Sequence, residues 1–154
     1  MRTPKIIPAL TLSLLFSFSD AQAYQVGDQI DEAVARRLEL SDGLSLVNFF
    51  ASWCTSCKKE QPLIQGISGG LQGRVRLVGV DTDENLQDGV TFQKSLGLTY
   101  PIVNDTNQEI VTKFSPLGMP AFYYLHGRKV VKMRLGAVDH IDAVIDADLK
   151  ELKP

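Results

Sequence analysis

Cysteine is nearly absent from this chain: two residues in 154, with two histidines and a single tryptophan beside them. A disulfide-dense scaffold is therefore excluded. A structural zinc site of the usual four Cys or His ligands would need both cysteines and both histidines. His126 and His140 stand far along the chain and apart from each other, so neither takes a metal role, and we assign no metal-ligating residue. Charge is also in short supply. A net charge of −2 gives no basis for a nucleic-acid partner. There is no internal repeat and no low-complexity tract. The one long apolar run, Ile6 to Phe18, is interrupted by Pro8 and serines, and is too short for a comfortable membrane span.

That run has a different explanation. Arg2 and Lys5 precede it, and Ala21-Gln22-Ala23 closes it with a small-x-small cleavage pattern. Residues 1–23 are expected to be a cleaved secretory signal, with 24–154 forming one domain and Tyr24 as its first residue. The alternative is an uncleaved N-terminal anchor. No cysteine follows the cleavage site, which argues against a lipid anchor there. Export changes the chemistry available to thiols, because a dithiol outside the cytoplasm stays reduced only if electrons are delivered to it.

The two cysteines stand three apart in Trp53-Cys54-Thr55-Ser56-Cys57, directly after the apolar run Leu44 to Ala51. This spacing lets two sulfurs bridge or share a soft metal. As a staple, a bridge closing so small a loop removes little unfolded-state entropy. If Cys54 opens a helix, its sulfur meets free backbone N–H groups and the positive end of the helix dipole. Such placement lowers a thiol pKa from roughly 8.5 into a range of about 3.5–7.5. Cys57, one turn further in, then resolves a mixed disulfide formed at Cys54. Thiol–disulfide exchange is the leading reading. A Cu(I)-binding or delivery module using the same two thiolates is the alternative from another class, and a disulfide-donating oxidase a second.

Elements alternate along the chain. Asp31 to Leu40 has helical composition with a narrow apolar stripe, although a short strand in this region is an open alternative. Leu44 to Ala51 suits a strand buried on both faces. A helix is expected from Cys54 to about Ser68, with Leu63, Ile64 and Ile67 inward, Pro62 inside it and Gly69-Gly70 ending it. Arg74 to Val80 reads as a second strand, followed by the acidic loop Asp81 to Asn85. In that loop Asp83 and Asn85 are expected to be solvated or helix-capping residues. A helix over Leu86 to Leu96, a strand over Tyr100 to Val103 and a short helix over Asn107 to Phe114 follow. Ala121 to Leu125 and Lys129 to Leu135 form a hairpin turned by His126-Gly127. A last helix, capped by Asp139, buries Ile141, Val144, Ile145, Leu149 and Leu152. The pattern is an α/β fold with a central mixed sheet flanked by helices, ending in a β-hairpin and a C-terminal helix.

The segment Val47 to Pro62, together with Gly118-Met119-Pro120 and the final hairpin and helix, resembles the thioredoxin superfamily, most closely its exported TlpA/ResA/CcmG-like branch. The likeness runs from about Leu44 to the C-terminus and implies the thioredoxin fold. It implies a periplasmic oxidoreductase, most simply a reductase of protein disulfides such as those of apocytochrome c or metal-loading proteins. It further implies a membrane reductant of the DsbD type that renews the electrons; no organic cofactor is expected, since the Cys54–Cys57 pair carries the electrons, and a monomer is expected. An X–Pro bond is cis in only about 5–6% of cases, so sequence alone favours trans at Pro120. The resemblance implies cis, with Met119 and Pro120 binding substrate beside Trp53. Asn48 stands where many thioredoxins carry a buried aspartate. Glu84, after the second central strand, is the expected proton acceptor for Cys57.

Overall fold

The computed structural model describes residues 23–152. The expected signal segment lies outside these residues except for Ala23. Among the described residues, no helix is long and apolar enough to cross a membrane.

Five strands form one sheet in the order β3-β2-β1-β4-β5. Strand β1 is Leu44–Phe50, β2 Arg76–Asp81, β3 Ile102–Asn104, β4 Ala121–His126 and β5 Lys129–Leu135. The first three run parallel, and β4 and β5 antiparallel to their neighbours. Strand β1 lies at the centre, and all its residues after Leu44 are buried, which is why apolar residues stand side by side at Leu46-Val47 and Phe49-Phe50 rather than in strict alternation.

Helices cover both faces. On one, α1 (Glu32–Arg37) and α4 (Glu109–Phe114) pack Val34, Leu38, Ile110 and Phe114 against Val47, Phe49, Val78, Val80 and Tyr123. On the other, α2 (Thr55–Leu71) and α5 (Ile141–Glu151) set Ile64, Leu71, Ile141, Ile145 and Leu149 against Leu46, Leu77, Phe122 and Tyr124. Helix α3 (Leu86–Ser95) sends Phe92 to meet Phe50 beside the two cysteines. Before α1, the backbone bonds to β5, including an isolated bridge between Gln29 and Lys129. The N-terminal region thus contains both a helix and a trace of strand.

Three local expectations are corrected. Gly69 and Gly70 lie within α2 rather than ending it. The helix runs on to bury Leu71, and the chain turns at Gly73 with φ +77°, because apolar burial outweighs the roughly 1 kcal/mol per glycine that helix interiors cost. Leu63 is exposed, and the inward stripe of α2 is instead Cys57, Glu60, Gln61, Ile64 and Leu71. The residue at the start of α5 is His140, in a left-handed conformation and without a side-chain cap bond, not Asp139. Its buried stripe also includes Asp148, which takes the Tyr124 hydroxyl at 2.8 Å and ion-pairs with Arg134 and Lys132.

Candidate active site: a dithiol at the head of helix α2

Phe49 on β1 pairs with Ala121 on β4, and Ala121 pairs with Leu135 on β5. The ends of β1, β2 and β5 and the start of β4 therefore meet at one edge of the sheet. The chain leaves β1 there through Ala51, Ser52 and Trp53. A backbone bond from Cys54 N–H to the Ala51 carbonyl, 3.2 Å, closes the turn. Cys54 is the N-cap of α2, and its sulfur accepts the Cys57 backbone N–H at 3.2 Å. The expected placement of a thiol against unpaired helix N–H groups is what the structure has.

The two sulfurs are joined, with an S–S distance of 2.07 Å, so the structure shows the oxidised form. Cys57 is fully buried, while Cys54 retains 6% exposure. Phe50 and Phe92 surround the pair, and Met119 packs on the same cluster. The Met119–Pro120 peptide is cis. The Met119 sulfur receives the Thr82 hydroxyl at 3.8 Å. Trp53 stands out from the edge at 65% exposure, in company with Leu86 and the almost wholly exposed Leu117. Trp53 follows the end of β1, Leu86 opens α3 after β2, and Leu117 lies in the loop that leads into β4.

Glu84 is not a partly buried carboxylate. It is exposed at the loop surface, because the chain turns outward after Asp83 to begin α3. The buried carboxylate on the helix that carries the cysteines is Glu60, one helical turn beyond Cys57 and on the same face of α2. One of its oxygens accepts the Val138 N–H at 2.8 Å, while the other is buried without a hydrogen-bond partner among the described residues. Burial pushes its pKa up, the Val138 N–H pulls it down, and the Asp139 charge adds a further upward push. The Cys-x-x-Cys-x-x-Glu spacing was visible in the sequence, but Glu60 lies among charged neighbours, and nothing local marked it as buried.

The acidic loop also differs from expectation. Asn85 does cap α3, accepting the Gln87 N–H at 2.9 Å. Asp83 is neither solvated nor a helix cap: it is buried and accepts both the Ser52 N–H and the Ser52 hydroxyl, each at 2.7 Å. Asp81 is buried too. It accepts the Asp83 N–H at 3.0 Å and a Gln93 amide N–H at 2.7 Å. Burial pushes its pKa up to about 6, and those two hydrogen bonds are insufficient to offset it. Asn48 is fully buried. Its carbonyl accepts the Gln61 amide at 2.7 Å, and Gln61 in turn accepts the Tyr100 hydroxyl. An uncharged amide network thus stands where a buried acid was noted as missing.

A parallel-centred sheet with helices on both faces, a Cys-x-x-Cys disulfide opening a helix, and a cis-proline loop at the same edge define a thioredoxin-fold dithiol/disulfide protein. Residues 25–96 match the family described as Thioredoxin, and the chain carries a thioredoxin-family domain. It is 28% identical over 131 residues to the thiol-disulfide oxidoreductase ResA of Bacillus subtilis, spanning 81% of this chain and 72% of ResA. It is 28% identical over 106 residues to the thiol:disulfide interchange protein CycY of Rhizobium leguminosarum, covering 63% of this chain and 56% of CycY. Among solved structures, StoA from Bacillus subtilis superposes with a TM-score of 0.61 at 27% identity, over 68% of this chain and 81% of StoA. A Chlorobium tepidum structure titled as a DsbE-type interchange protein shares the fold at TM-score 0.72 and 15% identity, over 84% of this chain and 98% of the other.

Proposed function

We propose that this protein is an exported thiol–disulfide oxidoreductase that reduces disulfides in protein substrates. The observation that carries the reading is the Cys54–Cys57 pair itself: a slightly exposed sulfur at a helix N-terminus backed by a fully buried one, beside a cis-proline loop. In the reduced enzyme, the Cys54 thiolate attacks one sulfur of a substrate disulfide. A mixed disulfide forms, and the other substrate sulfur leaves as a thiolate that takes up a proton. Cys57 then loses its proton, attacks the Cys54 sulfur, breaks the mixed disulfide and releases the second substrate thiolate. The substrate gains two electrons and two protons, and the Cys54–Cys57 disulfide seen here is formed. Glu60 is the group suited to take the Cys57 proton, since its unpaired oxygen is buried on the same helix face and burial raises its pKa, making it a stronger proton acceptor than a hydrated carboxylate.

Substrate binding falls to the apolar edge. Trp53, Met119 and Leu117 offer adaptable apolar contact, and an extended segment can add to the backbone beside Pro120. Cysteine-bearing proteins of cytochrome c maturation or metal loading are the substrate class, and a DsbD-type membrane thiol reductant is the electron source. Equilibration with glutathione buffers tests the direction. A reduction potential near or below about −200 mV supports a reductase, and one near about −120 mV makes the protein a disulfide donor instead. A Cys57→Ser variant should trap substrates as mixed disulfides through Cys54.

A further inference from the structure

Three residues, Ala51, Ser52 and Trp53, connect β1 to Cys54, and among the described residues two hydrogen-bonded features hold them. One is the Cys54 N–H to Ala51 carbonyl bond within the turn. The other reaches in from the loop after β2: the two oxygens of Asp83 take the backbone N–H and the hydroxyl of Ser52, both at 2.7 Å. Asp83 is itself anchored. Its N–H donates to Asp81 at 3.0 Å, and the N–H and hydroxyl of the preceding Thr82 both donate to the Phe50 carbonyl, at 2.9 and 3.2 Å. The carboxylate therefore has its position set by the sheet before it grips the turn.

We infer that Asp83 is a positioning residue for the redox centre: its two-oxygen clamp on Ser52 sets how Trp53 and the Cys54 sulfur are presented to a substrate disulfide. Ser52 and Trp53 are the two inner residues of the Ala51–Cys54 turn. Tying the first by backbone and side chain together fixes the direction in which the second leaves the surface. A two-point hydrogen bond to a carboxylate, here partly buried, is stronger than one to a neutral acceptor. Asp83 lies in the loop two residues beyond the end of β2, remote in sequence from the cysteines, so nothing in helix α2 duplicates it. Thiolate attack on a disulfide needs the reacting atoms aligned, and small misplacements cost large factors in rate. This inference rests on the disulfide-exchange reading for its kinetic consequence but not for its structural one.

The test uses the sole tryptophan, which sits inside the turn. Trp53 fluorescence anisotropy and disulfide reduction are measured on the mature protein, with Ser52→Ala and Asp83→Ala as variants. Ser52→Ala removes one of the two bonds, keeps the Asp83 charge and changes little bulk, so it remains folded. Trp53 anisotropy should fall in both variants well below their melting temperatures, and further in Asp83→Ala. kcat should fall about threefold in Ser52→Ala and about tenfold or more in Asp83→Ala, with KM within about twofold, as expected for lost alignment. Unchanged anisotropy in folded Ser52→Ala, or rate losses that only track the unfolded fraction, would overturn the clamp. If the unsubstituted protein reduces no disulfide, the proposed function falls while the anisotropy result still decides whether Asp83 holds the turn.

Discussion

Asp81→Asn is the perturbation whose outcome the structure constrains most tightly. The side chain is 1% exposed, close against Gly89, where a built Cβ would lie 2.6 Å from its Oδ2. Burial, with Asp83's charge adding to it, raises its pKa from 3.8 to about 6. A carboxyl that binds its proton more tightly folded than unfolded contributes stability that is fully present below pH 3.8. That contribution is lost as pH rises through about 6. At about 1.36 kcal/mol per pK unit, the full swing is roughly 3 kcal/mol. Asparagine cannot ionise, so its stability lacks this component. It still offers an oxygen to the Asp83 N–H, but its amide faces the Gln93 donor, and that conflict costs about 1 kcal/mol at every pH. The difference between the two proteins, measured by urea unfolding followed by far-UV circular dichroism, therefore has a slope independent of that offset. Wild type should lose up to roughly 3 kcal/mol relative to Asp81→Asn between about pH 4 and pH 7. Parallel stability profiles across that range would refute the argument that burial governs this carboxyl.

Glu60→Gln should slow disulfide reduction about tenfold or more near neutral pH, the scale of a lost general base, and remove the low-pH limb of the rate profile that Glu60 imposes. Glu84→Gln, at an exposed position, should leave that profile in place. Equal effects from the two would return the role to the loop. Gly79→Ala would put a methyl 2.8 Å from Phe50 Cε1, 3.0 Å from Tyr100 Cε2 and 3.1 Å from Ile102 Cγ1. Overpacking of that kind should cost roughly 1–3 kcal/mol in urea unfolding, and a loss under about 0.5 kcal/mol would mean the rings yield freely.

Local chemistry was enough to place the dithiol. A continuous apolar run must be a buried central strand, and a Cys-x-x-Cys directly after it must open the next helix, because each inference depends on residues a few positions apart. The β4–β5 hairpin and the helix closed by Gly97 follow from the same short-range signals, although the turn is Gly127-Arg128 and not His126-Gly127, because His126 still pairs with Lys129 as the last residue of β4. The proline isomer needed more than local chemistry, since only the family resemblance pointed to cis at Pro120. Tertiary packing decided which acids matter. Glu60, Asp81, Asp83 and Glu84 look alike in a sequence, but the first three are enclosed by elements distant along the chain and the fourth is not. Whether a carboxylate is hydrated or buried is set by what the rest of the fold lays over it. The same holds for Asn48, whose partner Gln61 sits on the far side of the active-site turn and receives the Tyr100 hydroxyl from beyond α3. Side-chain identity alone determined that sulfur chemistry was available at Cys54 and Cys57. Long-range burial determined which neighbours hold the turn and which can take a proton.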